Sequence, residues 1–107
     1  MLKKDEAKKI VEAHLNDSSE DRNYSLVILD EYTIEKDYGY VFFYDSSLYI
    51  ETEDINHALG GNSPILIEKS TSKIIYTGTA NSIEYYLENY EKYGSAYPPK
   101  KKGVKKR

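Results

Sequence analysis

A chain of 107 residues with no cysteine and two histidines is sized for one core. It is closed to disulfide frameworks, thiolate metal sites and His-rich metal centres. All 18 acidic residues precede Gly94 and six of the 15 basic ones follow it, so a net charge of −3 divides into a body of −9 and a tail of +6. A body this acidic repels nucleic acid and steers basic partners toward itself.

Residues 4–16 carry Ala7, Ile10, Val11 and His14 on one helical face, with Leu15 beside them and Asp5 and Glu6 at the electropositive end. The polar run 16–21 then forms a loop. Tyr24 to Leu29 is short and rich in apolar and β-branched residues, as a strand requires, and Thr33 to Lys36 extends it after a kink. The run Tyr38-Gly39-Tyr40-Val41-Phe42-Phe43-Tyr44 gives the strongest strand signal. Its alternation places Tyr38, Tyr40, Phe42 and Tyr44 on one face and Val41 and Phe43 on the other.

Leu48-Tyr49-Ile50 forms a short apolar piece, and a helical turn is expected from Asp54 to Leu59, stopped by Gly60-Gly61-Asn62. Pro64 to Glu68 and Lys73 to Thr77 read as two strands joined by a link of hairpin length. Residues 82–93 form a helix with Ile83, Tyr86, Leu87 and Tyr90 on its apolar face, Asn81 and Glu84 placed for a capping box, and Gly94 for the C-terminal cap. The predicted fold is α+β: an antiparallel sheet of about four strands with the N-terminal and C-terminal helices packed on one face, the other face partly open. One domain is expected over 1–94, followed by a disordered basic tail over 95–107 whose only large apolar residue beyond Tyr97 is Val104.

Catalysis finds poor material. His14 and His57 are the only near-neutral bases, and neither accompanies a Ser or Cys nucleophile motif. Glu51, Glu53 and Asp54 crowd carboxylates together without the spacing of a calcium loop. Gly60-Gly61-Asn62-Ser63-Pro64 lacks phosphate-loop spacing and has no helix after it. The Lys-rich tail offers phosphates charge but no interleaved aromatic groups. No stretch is long and apolar enough for a membrane span, and Met1 to Glu6 runs into charge where a signal peptide needs an apolar segment, so a cytoplasmic protein is expected. Twelve tyrosines against two phenylalanines and no tryptophan suit half-buried sheets and protein-facing surfaces.

The blocks Glu35 to Tyr44, Gly60 to Ile67, and Thr77-Gly78-Thr79-Ala80 before Ile83-Glu84-Tyr85-Tyr86 resemble, in order and spacing, the immunity protein 35 family, which includes the YrhB-like domains. The resemblance covers roughly residues 5–93 and leaves the basic tail outside. The family commonly has Trp where Tyr40 stands and a Thr-Gly hairpin where Thr71-Ser72 stands, and the missing Gly suggests a different turn.

The resemblance implies a stoichiometric inhibitor of a cognate bacterial toxin from a polymorphic toxin system, with no cofactor, no metal, no catalytic residue and no small-molecule substrate. The alternative it implies is a YrhB-like holdase that binds unfolded chains on an open Tyr-rich sheet face. The partner-binding residues expected are Glu35, Asp37, Tyr38, Tyr40, Glu51, Glu53 and Asp54. Their carboxylates would steer a basic toxin and their tyrosines supply contact area to a monomer or weak homodimer.

Overall fold

The structure is a computed structural model, and it describes residues 1–17, 25–54 and 63–97. Helix α1 spans Lys4–Asn16, and its first turn is fastened by the Lys3 backbone N–H donating to Glu6 Oε1 at 2.9 Å. The stripe it buries is Ala7, Val11 and Leu15 at i, i+4 and i+8, whereas Ile10 and His14 lie at the exposed margin. His14 is therefore not a core residue. Its Nε2 lies 2.7 Å from the Tyr76 hydroxyl on the surface.

The side chain of Asn16, at the end of α1, acts as a strand neighbour. Its Oδ1 accepts from the Leu26 N–H at 2.9 Å, and its Nδ2 donates to the Leu26 carbonyl at 3.2 Å. That pairing fixes α1 to strand β1, Leu26–Ile28. A single 3-10 turn at Asp30–Tyr32 supplies the kink before β2, Ile34–Lys36.

The Asp37-Tyr38 turn leads into β3, Gly39–Phe42, which is followed by β4, Tyr44–Ser46. The long strand expected over 38–44 is thus broken at Phe43, where the chain changes partners. β3 pairs with β2 and with β5, Ile65–Glu68, whereas β4 pairs with β1. Strand β6, Ile74–Tyr76, completes an antiparallel sheet of order β2-β3-β5-β6, with β1-β4 as a second, two-stranded sheet.

Ser46 caps a short helix α2, Ser47–Thr52, by accepting from the Tyr49 N–H at 3.0 Å, and Glu53 ends it in the left-handed region at φ 57°. The apolar trio 48–50 is therefore helical and Asp54 lies beyond the helix. The expected turn over 55–59, with His57 and the 60–62 glycine segment, falls outside the described residues. Helix α3 spans Ile83–Tyr93. Its cap is Ser82, which accepts from Tyr85 N–H, and not Asn81. Gly94, at φ 76°, closes its C-terminus through a bond to the Tyr90 carbonyl.

The fold is α+β with a four-stranded antiparallel sheet, but the helices do not share a face. Cross-strand partners Ile34, Val41, Leu66 and Ile75 form one row across all four strands, and the partners Tyr40, Ile67 and Ile74 form the next. Neighbouring rows point to opposite sides of a pleated sheet. The first row packs with Leu87, Ile83 and Tyr90 of α3. The second packs, together with Phe42 and Ile65, against Ala7, Val11 and Leu15 of α1. The α1 side holds most of the fully buried apolar residues, of which Val11, Phe42, Ile65 and Ile67 each contribute about 1.5–3 kcal/mol relative to exposure. The face expected to be open is covered by α3.

Packing also extends past Gly94. Ala96 is buried and its carbonyl accepts from Asn89 Nδ2 at 3.1 Å, while the Tyr97 hydroxyl donates to the Thr77 carbonyl at 3.1 Å. Ordered contacts thus continue through Tyr97, past the helix cap, and residues 98–107 lie outside the described residues.

The β5–β6 hairpin keeps the turn geometry that a glycine would favour. Ser72 sits at φ 63°, its N–H donates to the Glu68 carbonyl at 2.9 Å, and Thr71 Oγ1 accepts from the Lys73 N–H at 3.1 Å. A side chain in the left-handed region costs about 1–2 kcal/mol, and glycine gives back part of this through its freer unfolded chain. Ser72→Gly should raise stability by about 0.5–1 kcal/mol, seen as a higher urea midpoint with an unchanged slope.

Candidate functional site

The β2–β3 hairpin end gathers four of the expected residues. Glu35 is exposed in the middle of β2 and accepts from Lys69 Nζ at 3.0 Å. Lys69 in turn lies 5.0 Å over the Tyr40 ring, and the bond to Glu35 raises its pKa. Asp37 is exposed in the turn. Tyr40 is 4% exposed: its ring stacks on Phe42 with centroids 6.2 Å apart, and its hydroxyl donates to the Leu2 carbonyl at 3.1 Å. A side chain so enclosed is a core element and offers no contact area to a partner.

Tyr38 does not share the face of Tyr40, because the turn interrupts the alternation. It packs on the α3 side, its ring 4.7 Å from that of Tyr90, and its hydroxyl donates to Glu91 Oε2. Tyr90 donates to Glu68 Oε2 at 2.6 Å, and Glu68 also accepts from Thr71 Oγ1. These bonds, from Thr71 first and then Tyr90, hold the Glu68 carboxyl below its ordinary range.

Burial first, then the bond to Glu68, pushes the Tyr90 phenol up to about 12 from an ordinary 10.0. Tyr38 is raised by burial and then by Glu91. A phenol whose pKa is higher folded than unfolded contributes stability that is complete below its unfolded pKa and is lost as pH climbs toward the folded value. The protein should therefore lose stability between about pH 10 and 12. Tyr90→Phe should lessen that loss by about 1 kcal/mol after allowance for partial exposure, measured as the urea midpoint across the alkaline range.

Glu51, Glu53 and Asp54 are exposed at the C-terminal end of α2, which packs on β4. They and the hairpin residues stand at opposite ends of the β3–β4 run, so the topology makes two acidic groups of the expected single patch. At the hairpin end Glu35, Asp37 and Glu91 are offset by Lys36 and Lys69, with Lys36 Nζ 3.9 Å from Glu91. Glu51 and Glu53 enter none of the ion pairs among the described residues. No group of three carboxylate or imidazole side chains among the described residues converges as a metal site would require. No helix among them is long and apolar enough to cross a membrane.

Two surfaces went unread in the sequence. Glu84, Glu88 and Glu91 recur at i, i+4 and i+7 of α3 and line a groove of about 200 Å³ with Leu87 and Lys36. A shallow apolar groove of about 340 Å³ is lined by Leu29, Tyr32, Phe43, Tyr44 and Pro64. The spacing of the first was visible along the chain. The second is assembled from three separate segments and has no local signal. The tyrosines divide accordingly: Tyr40, Tyr44 and Tyr86 are buried, and Tyr32, Tyr76, Tyr85, Tyr93 and Tyr97 are exposed.

Residues 5–93 match the family model for Immunity protein 35. The chain belongs to the immunity protein 35 family. A relative, Uncharacterized protein YrhB of Escherichia coli (strain K12), is 38% identical over 53 residues, which make up 50% of this chain and 56% of that protein. The aligned segment thus spans little more than half the length of that relative. No solved structure matches. Membership bears out the family resemblance carried by the residue blocks, and α3, which begins with Ile83 to Tyr86, lies within the matched span.

Proposed function

We propose that this immunity protein 35 family member binds and neutralises a cognate protein toxin in the cytoplasm by stoichiometric occlusion, with no reaction of its own. The observation that carries this reading is the family match across 5–93. The −9 charge of the body supports it by favouring a basic partner surface. Glu51, Glu53 and Asp54 at the end of α2 make the leading electrostatic contact, and Glu35, Asp37 and the edge of Tyr38 a second one. Exposed tyrosines add contact area. The inhibitor acts as a monomer or weak homodimer. The holdase alternative draws no support from the closed fold, in which α3 covers the sheet face expected to be open.

Co-purification with the product of the neighbouring gene tests the partnership. The steering is tested by stopped-flow association. Glu51→Lys with Glu53→Lys should slow association about 10-fold at low salt and change dissociation less than about two-fold. The difference should close as ionic strength shortens the Debye length. An association rate indifferent to salt would remove the electrostatic part of the proposal.

A further inference from the structure

The two faces of the four-stranded sheet are sealed unequally. On the α1 side, strands of both sheets and the helix share one cluster in which Ala7, Val11, Phe42, Ile65 and Ile67 are fully enclosed. On the α3 side the hydrophobic cluster has only Val41, Leu66 and Leu87 as buried members, with Tyr86 and Asn89 of α3 buried outside it, and its margin is partly exposed at Ile34, Tyr38, Phe43 and Ile75.

Polar bonds supply much of what fastens α3 to the sheet. The Tyr38 hydroxyl reaches forward to Glu91, the Tyr90 hydroxyl reaches back to Glu68, and Lys36 faces Glu91. Helix α3 also follows every strand of the described sheet in the chain, so its departure breaks no ladder. By contrast, α1 is tied into β1 through the Asn16 side chain.

We propose that α3 is a separately releasable layer: it opens as a unit while the α1 side stays folded, and its opening uncovers the apolar row Ile34, Val41, Leu66 and Ile75. Cooperative units of lower stability than the whole fold are those with fewer buried contacts and more exposed fastenings, and α3 has both. The inference stands on packing and is independent of toxin binding.

Native-state hydrogen exchange on the full chain, followed residue by residue in increasing urea, tests it. Amides of α3 should exchange at least about 10-fold faster than those of β3 and β5, with a smaller dependence on urea. Tyr90→Phe removes one fastening. It should speed α3 exchange about 10-fold, the size expected for loss of a hydrogen bond to a charged group, and change β3 and β5 exchange less than about two-fold. Tyr38→Phe should act in the same way through Glu91. The proposal is overturned if α3 and the sheet share one protection and one urea slope, or if either variant speeds both equally.

Discussion

Replacing Tyr40 with alanine should lower stability by about 4 kcal/mol, at the level of a large aromatic truncated inside a core. The ring is buried, stacked on Phe42 and capped by the Lys69 ammonium, and the cavity left behind would face Ile67 in the central strand pair. Tyr40→Phe keeps the ring and gives up the bond to the Leu2 carbonyl, which should cost about 1 kcal/mol. Chemical denaturation of the two variants measures both losses. Partner binding by the folded fraction of Tyr40→Phe should match that of the parent, because the hydroxyl faces the N-terminal segment and not the surroundings. An alanine variant as stable as the parent would contradict the buried placement.

The second large effect is expected one residue earlier. Gly39 opens β3 opposite Glu68, and a Cβ built on it would overlap the Ile67 carbonyl oxygen and press on Leu66 Cδ1. The obstacle is backbone belonging to the central strand pair, so no rotamer change relieves it. Gly39→Ala should cost about 3 kcal/mol, near the upper end for overpacking, because β3 must move away from β5. The same urea titration reads it, and a loss below about 1 kcal/mol would mean that the strands part easily at the hairpin end. The glycine that follows Tyr38 is thus required here by close strand approach.

The helices at both ends were legible because a 3.6-residue apolar period over eleven or more residues has little competition, and because Gly94 marked a stop that the backbone uses. The four strands of the main sheet were legible from short β-branched runs bounded by turn residues. The side on which each helix lies was not. Val41, Leu66 and Ile75 are as apolar as their neighbours, and a strand buried on both faces carries no alternation to say which row belongs to which helix.

Counting in twos puts Tyr38 on the face of Tyr40, but the count runs through a turn, where the period does not apply. Leu48 to Ile50 was too short to show a helical period, although Ser46 before it was a usable cap signal. Of the expected contact residues, the carboxylates of Glu35, Asp37, Glu51, Glu53 and Asp54 all reach the surface, as charge alone dictates. Tyr40 does not, because an amphipathic ring suits a core and a surface equally well, and only the pleat and its neighbours decide.

The row structure of the main sheet sets a rule for how the gene can change length. One codon inserted within β3 would rotate every later side chain of that strand by half a turn, presenting Tyr40 and Phe42 positions to α3 and the Val41 position to α1. Both layers would then meet side chains of the wrong volume at once. Viable insertions and deletions among the described residues should therefore collect in the connecting turns, such as 69–72 and 77–82, and be missing from the ladders they join.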